Sequence, residues 1–325
     1  MANLVPGSVM LVPEVPLPMV TELAQTAEAL GYRRVWVPDE GLATRDVIVT
    51  LAAIAAATET IQIGTGIVNP YSRHPALTAA AIASIDELSG GRAFLGLGAG
   101  GSLTLGPLGI ERPRPLRHVR EAAEVARALF SGESIDYDGQ TLTLSRASID
   151  YGRPDIEIWF AGRGPKMLRQ AGEIMDGVLL EFLHKPSLGD YIETVRAGAG
   201  TTGNKPSICY STMVITNPDR IEEVRPHMTY RLVDSPQQVK DSLGITAQHT
   251  ADIREAMTHG LDVAARLIPD EWVEPFVIMG SIDECASEIR SLHQDHQFDE
   301  FMLVVADMED ASTVMAEVAE VLERV

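Results

Sequence analysis

An eight-stranded (β/α)8 barrel, the TIM-barrel α/β class, is the fold this sequence predicts, and three observations predict it. Short β-branched runs alternate with longer helical patterns along most of the chain. The strand runs are apolar almost without interruption, as expected of parallel strands covered by helices. The length, 325 residues, suits one such barrel with insertions. A doubly wound open sheet is the rival architecture. It would place a phosphate-binding G-x-G-x-x-G after the first strand, where this chain has Val12, Pro13, Glu14, Val15 and Pro16.

The elements follow in order. Residues 8–12 read as the first strand, and the next helix sets Leu23, Ala27 and Leu30 on one face before stopping at Gly31. Residues 33–38 form the second strand, and Asp46 is placed to cap a helix whose inward face includes Leu51 and Ile54. Residues 60–68 are the third strand, followed by a helix with Leu77, Ala81, Ile85 and Leu88 facing one way. Residues 92–98 are the fourth, ending in a glycine cluster, and a helix bearing Ala122, Val125 and Leu129 comes after a proline-containing loop. The alternation breaks once, at 134–149, where YDGQTLTLS with Asp138-Gly139 at the turn predicts a β-hairpin. It resumes with strands at 157–161, 176–180 and 208–215, the first two separated by a helix through Leu168 and Ala171. Residues 217–278 are helical in character with no strand signal, and a last strand at 300–305 precedes a closing helix with Ala311, Val314, Val318 and Val321 in register. The reading is one domain over 1–325, with a hairpin insertion at about 134–149 and a helical insertion at about 217–278 before the last strand.

Composition narrows the function classes. A hydrophobic fraction of 45% supports a packed core. The balance of 26 basic against 46 acidic residues gives a formal charge of −20, and no basic stripe interrupts it, so nucleic acid is not an expected partner. Every apolar run is broken well before the ~18–20 residues of a membrane span. The first sixteen residues lack the basic start of a signal peptide, and Cys209 and Cys285 have no nearby thiol or ligand spacing. The expectation is a cytoplasmic protein acting on a small molecule, without membrane attachment.

In a (β/α)8 barrel the functional residues lie at the C-terminal ends of the strands. That rule nominates Glu14, Asp39, Glu40, residues 66–69 (including Gly66, Ile67 and Asn69), residues 98–102, residues 162–166, Glu181 and His184. Asp39 and Glu40 either cap a turn or position a protonatable group. Glycines inside the third strand mark a barrel corner or the close approach of another group. Gly98, Ala99, Gly100 and Gly101 trail the fourth strand into a loop, which is no dinucleotide fingerprint; they leave room for a flat ring, or simply a flexible loop. The segment Gly162, Arg163, Gly164, Pro165, Lys166 is the strongest local signal. A strand ends, two glycines free the backbone and Pro165 opens a helix, so unpaired N–H groups and two cations make an anion site suited to phosphate. The plain alternative is a capped helix start. The eight histidines show no H-x-x-H or H-E-x-x-H spacing, so no metal site is expected; His293 and His296 read as solvated. No Gly-x-Ser-x-Gly nucleophile motif is present.

Five segments in order, GYRRVWVPDE, IGTGIVNPYSRHPA, RAFLGLGAGG, the YDG hairpin and AGRGPKMLRQAGEIMDGVLL, together with FVIMGSIDECASEIRSL, resemble the bacterial luciferase-like superfamily. Within it they are most similar to the branch that uses the deazaflavin coenzyme F420, notably methylenetetrahydromethanopterin reductases. The resemblance runs from about residue 8 to 305 and is thinnest at 217–275. It implies a homodimeric oxidoreductase with a flavin-like ring at the barrel mouth. It implies a non-prolyl cis bond at Gly66–Ile67 behind the ring centre, Asp39 and Glu40 at the polar ring edge, and Gly98 to Gly101 along the cofactor side chain. The phosphate would lie at Gly162 to Lys166; Glu181 and His184 are placed toward substrate by the strand-end rule, not by the resemblance. Two departures matter. Sugar-phosphate dehydrogenases of this family use a His after the strand-two Asp and a Glu in the strand-four loop, where this chain has Glu40 and Gly101. Reduction of an iminium carbon needs no acid, so reductase-like hydride transfer survives those losses, with Glu14 or Glu40 stabilising the cation. An FMN-dependent monooxygenase is the alternative, and a cofactor-free accessory subunit a further one.

Overall fold

Among the described residues the chain runs through twelve strands: β1 (Gly7–Met10), β2 (Arg34–Val37), β3 (Gln62–Thr65), β4 (Ala93–Leu97), β5 (Ile135–Asp138), β6 (Thr143–Ala147), β7 (Ile158–Ala161), β8 (Gly177–Glu181), β9 (Ser207–Thr212), β10 (Val214–Ile215), β11 (Ile278–Met279) and β12 (Glu300–Val304). The structure, a computed structural model, describes residues 5–325, apart from the side chains of Ser102 and Leu103. Eight strands close a parallel barrel in the order β1, β2, β3, β4, β7, β8, β9, β12, with β12 pairing back to β1 from Gly7 opposite Phe301 to Met10 opposite Val304. The β5–β6 hairpin is antiparallel and stands apart from the barrel. Buried Glu121 latches it by accepting from the Gln140 and Thr141 amides at 2.8 and 2.9 Å.

Fourteen α-helices among the described residues accompany them: α1 (Leu17–Ala29), α2 (Val47–Ala57), α3 (Pro75–Ser89), α4 (Ser102–Leu105), α5 (Pro115–Phe130), α6 (Pro165–Ile174), α7 (Leu188–Thr202), α8 (Ile221–Val233), α9 (Gln237–Ser242), α10 (Ala247–Met257), α11 (Leu261–Ala265), α12 (Asp270–Val273), α13 (Ile282–His296) and α14 (Ala311–Glu323). Local chemistry sets their ends. Asp46 caps α2 by accepting from the amides of Ile48 and Val49, and Ser281 with Glu284 forms a capping box on α13. None of the described helices is long and apolar enough to cross a membrane.

Two elements differ from the sequence reading. The inward face of α3 is Ala79, Ile82, Ala83 and Ile85, while Leu77 and Leu88 are 71% and 56% exposed. Alanine and isoleucine occupy almost every side of this helix, so periodicity does not choose its face. The predicted strand at 208–215 is split. Thr212 is the last residue paired with β12, and Val214 and Ile215 pair with Ile278 and Met279, so the helical insertion ends in a strand of its own.

Inside the barrel, one layer is Met10, Trp36, Phe94, Trp159, Leu179, Cys209 and Met302. Trp36 meets Phe94 and Trp159 edge to face, with ring centroids 4.4 and 5.3 Å away. Gly64 and Gly177 have no side chain because the rings of Phe94 and Trp159 occupy that space, 2.5 and 2.3 Å from where a Cβ would stand. Below this layer, at the N-terminal end, Arg34 joins Glu300 and Glu157. The other end of the barrel is where functional residues of this architecture lie.

Candidate active site at the barrel mouth

Parallel strands deliver all their C-terminal ends to one mouth, and the nominated residues gather there. The end of β3 carries the most irregular backbone. The Gly66–Ile67 peptide bond is cis. Around it the Gly66 amide donates to Val37 O at 2.6 Å and the Asp39 amide to Ile67 O at 3.2 Å, so the ends of β2 and β3 are held together. A Cβ on Gly66 would stand 2.8 Å from Trp36 Cβ. Ile67 fills the space beside Gly98, and Thr65 O the space beside Gly96. Ring access is therefore not what demands glycine at 96 and 98; strand packing is.

Asp39 is buried, and its carboxylate accepts from Arg73 Nε at 2.8 Å and from the Gly41 amide at 3.2 Å. Arg73 also reaches Asp46 at 2.7 Å. Asp39 thus clamps the β2 and β3 ends and accepts from the turn that follows, in keeping with the turn-capping role that the sequence reading set beside the ring edge. Asn69 is committed as well. Its Oδ1 accepts from the amides of Tyr71 and Ser72 and its Nδ2 donates to Ser72 Oγ at 2.9 Å, an Asx turn closed on itself. Replacing Arg73 by leucine leaves a buried carboxylate with one backbone donor. Because Arg73 is partly solvated, the expected loss is about 2–3 kcal/mol, below the usual ~3–5 for a fully buried pair, and denaturant unfolding measures it. Adding Asp39→Asn in the same chain should recover part of that loss.

Glu40 remains available. It is half-buried, with Thr104 Oγ1 donating to Oε2 at 3.1 Å. Burial pushes its carboxyl above the ordinary range; the Thr104 bond opposes this, and the charges of Glu181 and Asp39 add to it. Glu14 is exposed, and partial burial with neighbouring Asp307 pushes its carboxyl up also. Ala99 and Gly100 are half-buried and Gly101 is exposed; Ser102's side chain lies outside the described residues.

At the end of β7 the ring of Phe160 packs where a Gly162 side chain would be. Gly164 then starts α6 with extended backbone, and no side chain caps the helix. Its first-turn amides stay free, flanked by Arg163 and Lys166, which are exposed and make no ion pair among the described residues.

The end of β8 holds a buried cluster. Phe182 has φ of 49°, and its amide donates to Ser211 O at 2.7 Å. His184 Nδ1 lies 2.9 Å from Ser187 Oγ, its ring 5.5 Å from that of Phe276, and burial lowers its pKa, favouring the neutral ring. Glu181 is half-buried, and the buried Ser211 Oγ has no hydrogen-bond partner among the described residues. Arg231, from α8 of the helical insertion, donates to Glu181 O at 3.3 Å and stacks 4.7 Å from the Phe182 ring centre. Sequence reasoning missed Arg73 and Arg231. Arg73 stood inside one of the quoted segments, whereas nothing local marked Arg231. His293, read as solvated, is half-buried against Phe298, its Nδ1 2.9 Å from Phe298 O. Among the described residues no cluster of three or more His, Cys, Asp or Glu is placed to hold a metal.

The comparisons with known proteins agree with this architecture. The model of the luciferase-like monooxygenase family matches residues 4–300. A 5,10-methylenetetrahydromethanopterin reductase of Methanolobus tindarius is 33% identical, over 86% of this chain and 88% of its own. That of Archaeoglobus fulgidus is also 33% identical, over 82% and 83%. The structure of the coenzyme F420-dependent tetrahydromethanopterin reductase from Methanopyrus kandleri superposes with a TM-score of 0.88 at 25% identity, covering 98% of both chains. With eight parallel strands, a hairpin insertion and an irregular third-strand end, this chain belongs to the luciferase-like monooxygenase family.

Proposed function

We propose that this protein is a coenzyme F420-dependent oxidoreductase that reduces a small organic substrate, with an iminium carbon as in methylenetetrahydromethanopterin reductases the favoured acceptor. The observation that carries the reading is the uncapped start of α6, with Arg163 and Lys166 unpaired beside it, in a chain similar along its length to those reductases. The donor set suits a phosphate-bearing cofactor: free helix amides, unpaired cations, and an orphaned Ser211 hydroxyl at the mouth. When bound, the deazaflavin supplies a hydride donor or acceptor carbon.

The chain's own residues then bind and orient. The amides of the first turn of α6, with Arg163 and Lys166, hold the phosphate. Gly66 and Ile67 offer backbone at the mouth, and the Arg73–Asp39 clamp keeps that backbone in place. Glu40, with its raised pKa, keeps a carboxyl proton to higher pH than an ordinary glutamate and lies under the influence of Glu181. The acid–base pair of the sugar-phosphate dehydrogenases is missing at Glu40 and Gly101, which favours an acceptor already carrying positive charge.

Titration of the purified protein with F420 and with FMN, followed by fluorescence, tests the cofactor. F420 is expected to bind at least tenfold more tightly; the reverse order overturns the reading in favour of an FMN enzyme, and no binding of either favours an accessory subunit. Lys166→Glu is expected to weaken F420 binding at least tenfold, about 1.4 kcal/mol. An unchanged dissociation constant would remove the phosphate from this turn. We further propose a homodimer, because Val49 of α2 and Leu77 and Leu88 of α3 are exposed apolar side chains on neighbouring helices. Sedimentation should give twice the 35.2 kDa chain mass.

A further inference from the structure

Arg231 is a buried charge held by one hydrogen bond. It comes from α8, is 8% exposed, and makes no ion pair among the described residues. One nitrogen donates to Glu181 O at 3.3 Å, and the guanidinium carbon stacks on Phe182. A guanidinium carries five N–H donors in one plane, so most of its capacity is unspent. Its surroundings do not neutralise it. Arg163 adds like charge, while Glu181, Tyr191 and Asp234 act on it from beyond ion-pair distance. Burial, reinforced by Arg163, brings its pKa down to about 9, so it is still charged at neutral pH. Tyr191, half-buried, feels both Arg163 and Arg231. Two cations and a phenol, from α8, the β7–α6 turn and α7, therefore act on one another beside the end of β8, where no carboxylate among the described residues comes within ion-pair distance of Arg231. A buried charge left unpaired is unfavourable, and a planar fork is the geometry that takes two oxygens of one group.

We propose that Arg231, with Arg163 beside it, is an oxyanion receptor that takes a phosphate or carboxylate of the bound ligand at the barrel mouth. Two sources carry that chemistry: the phosphate or acidic tail of the cofactor, and an acidic group on the substrate. The cofactor source rests on the function proposed above; the substrate source does not.

The test compares the wild type with Arg231→Met and Arg231→Lys. Melting of the ligand-free proteins is measured first, and then the affinities for F420, for its deazaflavin alcohol lacking phosphate and tail, and for inorganic phosphate with and without saturating F420. Arg231→Met is expected to melt at or above the wild-type temperature, since it removes an unpaired buried charge, and to bind phosphate at least tenfold more weakly. Arg231→Lys should recover part of that affinity. A tenfold loss for F420 but not for the deazaflavin alcohol assigns the oxyanion to the cofactor. Unchanged F420 affinity with a tenfold loss of phosphate binding to the F420-saturated protein assigns it to the substrate. If both anions bind Arg231→Met within twofold of wild type, or the wild type binds phosphate no better than the variant and F420 affinity is unmoved, the receptor is overturned and Arg231 is a structural tie between α8 and β8. Should F420 fail to bind the wild type, the cofactor reading falls while the phosphate measurement still decides Arg231.

Discussion

Replacing Glu300 by alanine is expected to cost about 3–5 kcal/mol of folding stability, the range for removing one partner of a buried ion pair. Glu300 and Arg34 are each 1% exposed on the barrel floor, joined Oε2 to Nε at 3.1 Å. Arg34 also donates to Glu157 Oε2 at 2.6 Å and lies 4.7 Å from the Trp159 ring centre and 5.3 Å from that of Phe94. Without Glu300 the guanidinium keeps only Glu157, whose side chain is 39% exposed and so a weaker counter-charge. The pair is not ideal, because Glu300 Oε1 has no hydrogen-bond partner among the described residues. Hence Arg34→Met combined with Glu300→Leu should regain most of the loss, since apolar residues of similar volume satisfy the same space. Urea unfolding of the two single variants and the double variant measures both effects. A loss under about 1 kcal/mol for Glu300→Ala would mean that water reaches the floor and screens the pair.

The same network sets an acid limit. Burial alone would raise the pKa of Glu157, but the hydrogen bond and charge of Arg34 outweigh it, so the carboxyl sits below its ordinary value of 4.5. A depressed carboxyl contributes stability that is present above the unfolded value and is lost as pH falls through the folded one. Stability should therefore decline below about pH 4.5, with a shallower decline in Arg34→Met. Glu40 acts with the opposite sign. Its raised pKa contributes stability that is present below the unfolded value and lost as pH rises through the folded one, a window above about pH 4.5 and so separate from the acid decline.

Gly198→Val is expected to be the most damaging single substitution among the helices, at about 3 kcal/mol or more. Helices α6 and α7 cross backbone to backbone at two glycines. A Cβ on Gly198 would stand 1.9 Å from Arg169 O, and one on Gly172 would stand 2.0 Å from Val195 O. Overpacking against a mobile side chain is relieved by a rotamer change; against a helix carbonyl, the helices themselves must separate. Because α6 carries the free amides of the anion site at its start, that separation should also weaken phosphate-bearing ligands. Gly200→Ala is the control. It lies on the same helix with nothing within 4 Å of the added methyl, so a gain of about 0.5–1 kcal/mol is expected from helix propensity. Denaturant midpoints for both variants, with F420 titration where the protein is folded, check the contrast. Equal stability of Gly198→Val and wild type would show that the crossing is looser than the backbone geometry describes.

Much of this molecule is legible without coordinates, for local reasons. Strand runs such as AFLGL are apolar throughout because both faces are covered, and glycine or proline punctuates their ends. The uncapped helix start at Gly162 to Lys166, proposed above as the anion site, was visible because every part of it, two glycines, a helix-opening proline and two cations, lies within five residues. The face of α3 was not legible, since an alanine-rich helix carries little contrast between its sides. Nor was the break at Met213, where the strand leaves the barrel to pair with residues over sixty positions away.

The sequence by itself determined the barrel and its hairpin, because apolar periodicity and turn chemistry act over a few residues. Tertiary structure alone decided who meets whom. Arg73 clamps Asp39 from 34 residues away, Arg231 reaches Glu181 from 50, and Arg34 finds Glu300 across 266. Residue type states that a charge needs a partner or water; only the closure of the barrel and the packing of the insertion bring partners within hydrogen-bond distance, or leave a buried arginine with no ion-pair partner among the described residues.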